Sequence, residues 1–245
     1  MVLLLEETFE GSLPIDDTTL HAGTASGGDE VDMANIAAYF DMQAASPKQA
    51  AKNIRAFGWN AGAGAGARFL RFPIAWSTPA NIYIRAGVRF AGYAAAKYPG
   101  TWQGIAACMG PTRGAVYAPN RLVQLPQLGA PTTDYKMPYI VTNGASGPTA
   151  LTVSDDHADL ALNTWYDMYM RITAGASYLW VDGVLAVTAA GASMSAAEGV
   201  WIGAWKSKYS SGFAIEIDHL RADTSPIEGE TPPPSPFLAF KLAVA

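Results

Sequence analysis

The stretch AIEIDHL (214–220) carries the side chains best spaced for chemistry, with Glu216 and Asp218 two positions apart in a run that alternates apolar and polar residues. In a β-strand this spacing puts both carboxylates on one face. Two carboxylates about 5 to 5.5 Å apart are what retaining glycoside hydrolysis uses as nucleophile and acid. His219 falls on the other side of the alternation, with Ile215 and Ile217, where a packed histidine is expected. With His21 and His157 it completes the histidine supply, a thin one for the acid–base work of a polysaccharide lyase.

Other chemistry is weaker. SDDHADL (154–160) offers Asp155, Asp156, His157 and Asp159. A hard cation wants roughly six oxygens in a regular carboxylate spacing with a glycine turn, and this stretch lacks both. A solvated turn is favoured, and no metal or other cofactor is expected. The glycine–alanine run NAGAGAGARF (60–69) has no Lys-Ser/Thr ending, so it is a bend or strand edge and not a phosphate loop. Cys108 is the only cysteine, which excludes an intrachain disulfide and leaves a buried, inert thiol. Trp102, Tyr117, Trp165, Trp201, Trp205 and Tyr209 are candidate sugar platforms, because a ring packs against the apolar face of a pyranose. Tryptophans in a large β domain are more often core, and sequence alone does not sort them.

The chain has 245 residues, half of them hydrophobic and 15% charged, against a usual charged share of about 25%. So lean a surface suits one that a partner covers in part. Sixteen basic and twenty-one acidic side chains give a net charge of −5 without a basic run, so neither nucleic acid nor an anionic membrane is an expected partner. VLLL (2–5) runs directly into Glu6 and Glu7. It is too short for the apolar core of a signal peptide, which places synthesis in a cytoplasm without classical export.

The elements that would position these groups are short strands. NIYIRAGVRF (81–90) sets Ile82, Ile84, Ala86 and Val88 against Tyr83, Arg85, Gly87 and Arg89, and TWYDMYMRITA (164–174) sets Tyr166, Met168, Met170 and Ile172 against Trp165, Asp167, Tyr169 and Arg171. Both have the period of a strand with one buried face, which puts the arginines on the exposed or partner-facing side. In YLWVDGVLAV (178–187) Asp182-Gly183 predicts a two-residue hairpin, with Asp182 a turn residue and not a ligand. Ser46-Pro47-Lys48-Gln49 predicts the one clear helix, with Ser46 as N-cap, Gln49 closing a capping box, Gly58 as the stop and Ala50, Ile54 and Phe57 as its apolar stripe.

LLLEETFEG at the start, WYDMYMRI, YLWVDGVLAV, VWIGAW and FAIEIDHLRAD together resemble the concanavalin A-like (laminin G-like) jelly-roll superfamily. There a Trp-led strand precedes a "lyvDG" hairpin, and a late "IDdvr" strand pairs beside the first strand. The resemblance covers 164–223 and the first ten residues. It implies an all-β, concanavalin A-like jelly-roll β-sandwich with one short helix and a proline-linked C-terminal tail. The laminarinase-like branch is similar to a Glu-x-Asp-x-x-Glu pattern. Glu216 and Asp218 match its first two positions, but the third falls on Arg221 counted by three or Leu220 counted by two, and neither supplies the acid. This disfavours a hydrolase.

TPPPSP (231–236) marks a change of regime, since consecutive prolines hold an extended spacer. The expected organisation is a sandwich domain over 1–228, a Pro-rich linker over 229–236 and an apolar docking strand over 237–245. Phe237, Phe240, Leu242 and Val244 suit strand addition to a sheet edge or an apolar groove, on this subunit or on a neighbour. The whole resembles accessory structural proteins of tailed bacteriophages. The leading expectation is therefore a non-enzymatic virion protein, a capsid decoration or tail accessory that forms homo-oligomers and contacts other capsid or tail subunits. The alternative is a glycan-binding adhesion module, with Trp102, Tyr117, Trp205 and Tyr209 on its surface. A carbohydrate-active hydrolase or lyase is third.

Overall fold

A computed structural model describes residues 2–23, 30–38, 40–44, 48, 51–57, 66–77, 80–91, 105–110, 121–125, 139–144, 147–153, 163–173, 175–190, 196–206 and 214–227. The strands of the N-terminal half are β1 (Leu3–Glu7), β2 (Thr19–Gly23), β3 (Glu30–Val31), β4 (Phe40–Gln43), β5 (Asn53–Phe57), β6 (Gly66–Ser77), β7 (Ile82–Ala91), β8 (Ile105–Gly110) and β9 (Arg121–Leu125). Those of the C-terminal half are β10 (Tyr139–Gly144), β11 (Gly147–Val153), β12 (Trp165–Ile172), β13 (Ala176–Val181), β14 (Val184–Ala190), β15 (Ala196–Lys206) and β16 (Ala214–Asp223). They form two eight-stranded sheets. Sheet A runs β14-β13-β12-β7-β16-β5-β4, with β1 also paired to β16, and sheet B runs β11-β10-β9-β8-β15-β6-β2-β3. The expected all-β jelly-roll sandwich is therefore observed, including the late strand beside the first: Glu6 lies opposite Arg221 and Glu7 opposite Leu220.

The alternation read from sequence sets the layers. Ile82, Ile84, Ala86 and Val88 of β7, and Met168, Met170 and Ile172 of β12, meet Leu70, Phe72, Val200 and Ile202 of sheet B in one continuous core. Burying such side chains is the main force holding two sheets face to face. Phe9 seals one end, fully buried with its ring edge-on to Phe72 at 6.0 Å between centroids. Asp182 (φ 49°) and Gly183 (φ 79°) both take the left-handed region in the β13–β14 turn, as a two-residue hairpin requires.

The predicted helix is not there. Residues 53–57 are β5, paired with β4 on one side and β16 on the other. Ile54 and Ala56 enter the core while Arg55 faces out, a period of two that the spacing of Ala50, Ile54 and Phe57 concealed. Two flanking strands satisfy the backbone of this segment more completely than an isolated short helix would. Met33–Ala38, within and just beyond a stretch that sequence reads as loop, forms a 3-10 helix instead.

Candidate functional site

Every residue that β4, β5, β16, β7 and β12 direct away from the core lands on the outer face of sheet A, and the register lines them up in rows. One row runs directly across five strands: Asp41, Arg55, Glu216, Arg89, Trp165. Its charges alternate and its far end is an indole. Arg55 holds Asp41 with two bonds, Nε to Oδ1 at 3.0 Å and Nη2 to Oδ2 at 2.7 Å. Arg89 Nε lies 3.4 Å from Glu216 Oε2, and the Arg89 guanidinium carbon sits 6.0 Å from the Trp165 ring centre.

The neighbouring rows continue the chemistry. Arg85 clamps Asp167 through Nε to Oδ1 at 2.9 Å and Nη2 to Oδ2 at 2.7 Å. Arg221 approaches Asp223 at 3.5 Å. Further along, Arg171 stands between Tyr83 on β7 and Tyr178 on β13, with its guanidinium carbon 4.2 Å from the Tyr178 ring centre and 5.7 Å from that of Trp180. Beside it Tyr83, Tyr169 and Trp180 make a second apolar cluster, closed over by Ile227 from the segment after β16.

Glu216 is the electrostatic outlier. Burial raises its pKa above the usual glutamate value; Arg89 and Arg55 pull it back and Asp41 adds to the rise. The hydrogen bond to Asp41 is the main reason that Arg55 is held charged more firmly than usual. A carboxylic acid of raised pKa inside an arginine frame is able to exchange a proton nearer neutrality than an exposed one.

The second carboxylate of the sequence pattern has another job. Asp218 is fully buried and accepts the backbone amide of Lys48 at Oδ2, 2.7 Å away. The Lys48 side chain lies close over Gly87, where a Cβ would come within 2.8 Å of Lys48 Cδ and the lysine would have to shift. Lys48, which sequence assigns to a helix, instead has its backbone amide on Asp218 of the outer face.

A β-bulge decides which residue follows Asp218 on this face. Asp218 pairs with Gly87 but Arg221 with Arg85, so β16 fits three residues where β7 fits two. His219 sits at the irregularity with φ 47°, between the part of β16 that pairs with β5 and the part that pairs with β1. Leu220 thereby enters the core and Arg221 faces out. His219 is thus not the packed residue that the alternation predicts: it is partly exposed, with Nε2 3.1 Å from Glu6 Oε1. Glu216 and Asp218 do share a face, but the third position holds an arginine, and a guanidinium does not act as a general acid.

Among the aromatics expected to hold sugars, Trp165 is half-buried on the outer face, whereas Trp201 is buried under Arg71, 5.8 Å from its ring centre. Trp102, Tyr117 and Tyr209 lie outside the described residues, and of Trp205 only the pairing within β15 is described. Asp155, Asp156, His157 and Asp159 also lie outside them, as do Phe237, Phe240, Leu242 and Val244. Among the described residues, no three acidic, histidine or cysteine side chains gather as a metal site, and no helix is long and apolar enough to cross a membrane. The arginine frame itself was half-legible, since the alternation in β7 and β12 placed Arg85, Arg89 and Arg171 outward. That Arg55 and Asp41 join them depends on pairing between distant strands.

No family model and no curated protein matches the chain. Solved structures do match in fold. The alginate lyase AlyC3 superposes with a TM-score of 0.57 at 12% identity, over 84% of this chain and 89% of its own. An endo-β-1,4-glucuronan lyase from the fungus Trichoderma reesei gives 0.54 at 12% identity, over 84% and 94%. The cellulose-induced protein Cip1 gives 0.53 at 11% identity, over 76% and 85%. At such identities the likeness is one of fold, and it places this chain among jelly-roll sandwiches.

Proposed function

We propose that the protein binds carbohydrate on the outer face of sheet A. The observation that carries the reading is the row Asp41, Arg55, Glu216, Arg89, Trp165. Carboxylates and guanidinium forks held in fixed planes suit the paired hydroxyls of a pyranose, and an indole at the end of the row suits its apolar face. The rigid pleat spaces these groups along a line, which fits an extended polymer better than a compact ligand. The jelly-roll likeness to proteins named as alginate and glucuronan lyases supports the same class of ligand.

Affinity electrophoresis through gels containing neutral and acidic polysaccharides tests this. At least one polysaccharide should retard the protein, and Trp165→Ala should migrate freely in that gel while keeping its fold. Unretarded migration in every gel would refute the proposal.

A lyase is the second reading, favoured by one observation: the raised pKa of Glu216 beside Arg89 and Arg55. An acid of this kind is able to exchange a proton with a sugar carbon or leaving oxygen while arginine offsets the uronate charge. A rise in ultraviolet absorbance from unsaturated product on an acidic polysaccharide, lost in Glu216→Gln, is the expected sign. The virion reading rests on sequence features, among them the low charged share and the tail at 237–245, which lies outside the described residues, and the fold adds nothing to it.

A further inference from the structure

Among the described residues, five arginines occupy the outer face of sheet A. Arg55, Arg85, Arg89 and Arg221 each face a carboxylate: Asp41, Asp167, Glu216 and Asp223. Arg171 faces none among the described residues. Its cross-strand neighbours are Tyr83 and Tyr178, its guanidinium is stacked 4.2 Å from the Tyr178 ring centre, and its Nε has no hydrogen-bond partner among the described residues. That Nε is itself buried while the side chain as a whole is half-buried, so a ligand would meet the terminal Nη groups.

We propose that Arg171 reads a carboxylate on the bound polysaccharide, making the ligand a polyuronate and not a neutral glycan; this rests on the carbohydrate reading of the same face. The physical reason is preorganisation. Tyr178 fixes the plane of the guanidinium, Trp180 backs it, and the two terminal Nη groups remain as a fork whose geometry matches a carboxylate. A sugar hydroxyl would take one of those bonds, whereas a C6 carboxylate takes two and also neutralises the charge. The surroundings strengthen the preference. The rings of Tyr83, Tyr169 and Trp180 are buried beneath Ile227, so the apolar side of the fork is dry and a charge-assisted bond there is less screened than one in water. The other four arginines each already have a carboxyl partner on the sheet, which leaves Arg171 as the position where an anionic group is chosen. The Asn81 amide donates to the Tyr83 hydroxyl at 3.2 Å and holds that ring beside the fork.

The test compares two oligosaccharide series of one linkage that differ only at C6, β-1,4-linked glucuronate and β-1,4-linked glucose, by titration calorimetry on the full chain. The wild type should bind the uronate series tighter. Arg171→Gln should lose about tenfold to a hundredfold in uronate affinity, as expected for losing a charged hydrogen-bonded pair, and should bind the neutral series unchanged. Arg171→Lys, which keeps the charge without the fork, should fall between and serves as the folded control. If Arg171→Gln or Arg171→Lys keeps the full uronate preference, this inference fails while carbohydrate binding stands. If the wild type binds neither series nor any other polysaccharide, the carbohydrate reading fails and takes this one with it. Equal binding of polyglutamate and polyuronate would overturn the proposal in favour of an acidic peptide.

Discussion

Arg89 and Glu216 stand directly opposite each other on β7 and β16, with Nε and Oε2 3.4 Å apart, and the carboxyl is buried. Burial outweighs the two arginines, so the fold raises the pKa of this acid above the ordinary glutamate value. A group whose folded pKa is raised contributes stability below its ordinary value and loses that contribution as pH rises through the folded one. From the ordinary glutamate value of 4.5 upward, the wild type should therefore lose stability from this group. Glu216→Gln has no such dependence. The stability of the variant relative to the wild type should rise with pH across this window in denaturant titrations at fixed salt. A relative stability that falls as pH rises would show that the arginines dominate.

Asp182 and Asp167 clasp the β13–β14 turn to β12. The Asp167 amide donates to Asp182 Oδ1 at 2.7 Å, and the Asp182 amide donates to the Asp167 carbonyl at 2.8 Å. Asp182→Ala loses the side-chain acceptor and leaves alanine at φ 49°, at a cost of about 1 to 2 kcal/mol. Asp182→Asn keeps both features and should stay within about 0.5 kcal/mol of wild type. Chemical denaturation of the two variants gives the comparison.

The bulge in β16 makes neighbouring substitutions unequal. Leu220→Ala opens the core and should cost about 2 to 5 kcal/mol, whereas the partly exposed contact to Glu6 that His219→Ala removes is worth less than about 1 kcal/mol. His219→Gly should be more stable than His219→Ala by about 1 kcal/mol, because glycine accepts φ 47° without strain. Thermal unfolding of the three variants tests the ranking.

Ile227 covers Tyr83, Tyr169 and Trp180. Ile227→Ala should cost about 2 to 5 kcal/mol and shift tryptophan emission to the red as water reaches Trp180. Unshifted emission at full stability would mean that the segment after β16 does not shield the cluster.

What the sequence determined by itself was the set of inward and outward residues in strands with an unbroken period of two. NIYIRAGVRF and TWYDMYMRI sort correctly into a core face and an arginine-bearing face, and Asp182-Gly183 forms its turn, because alternation and turn chemistry are local. Three things were decided only by tertiary structure. Asn53–Phe57 is a strand because β4 and β16 bracket it, which outweighs a capping box legible in the chain. Leu220 and Arg221 exchange the places that alternation assigns them, because β16 changes partner from β5 to β1 at His219 and absorbs an extra residue there. Above all, Asp41, Arg55, Glu216, Arg89 and Trp165 form one row although 175 residue positions separate Asp41 from Glu216. Only the register of four strand pairings brings them into line, and register is a property of the assembled sheet.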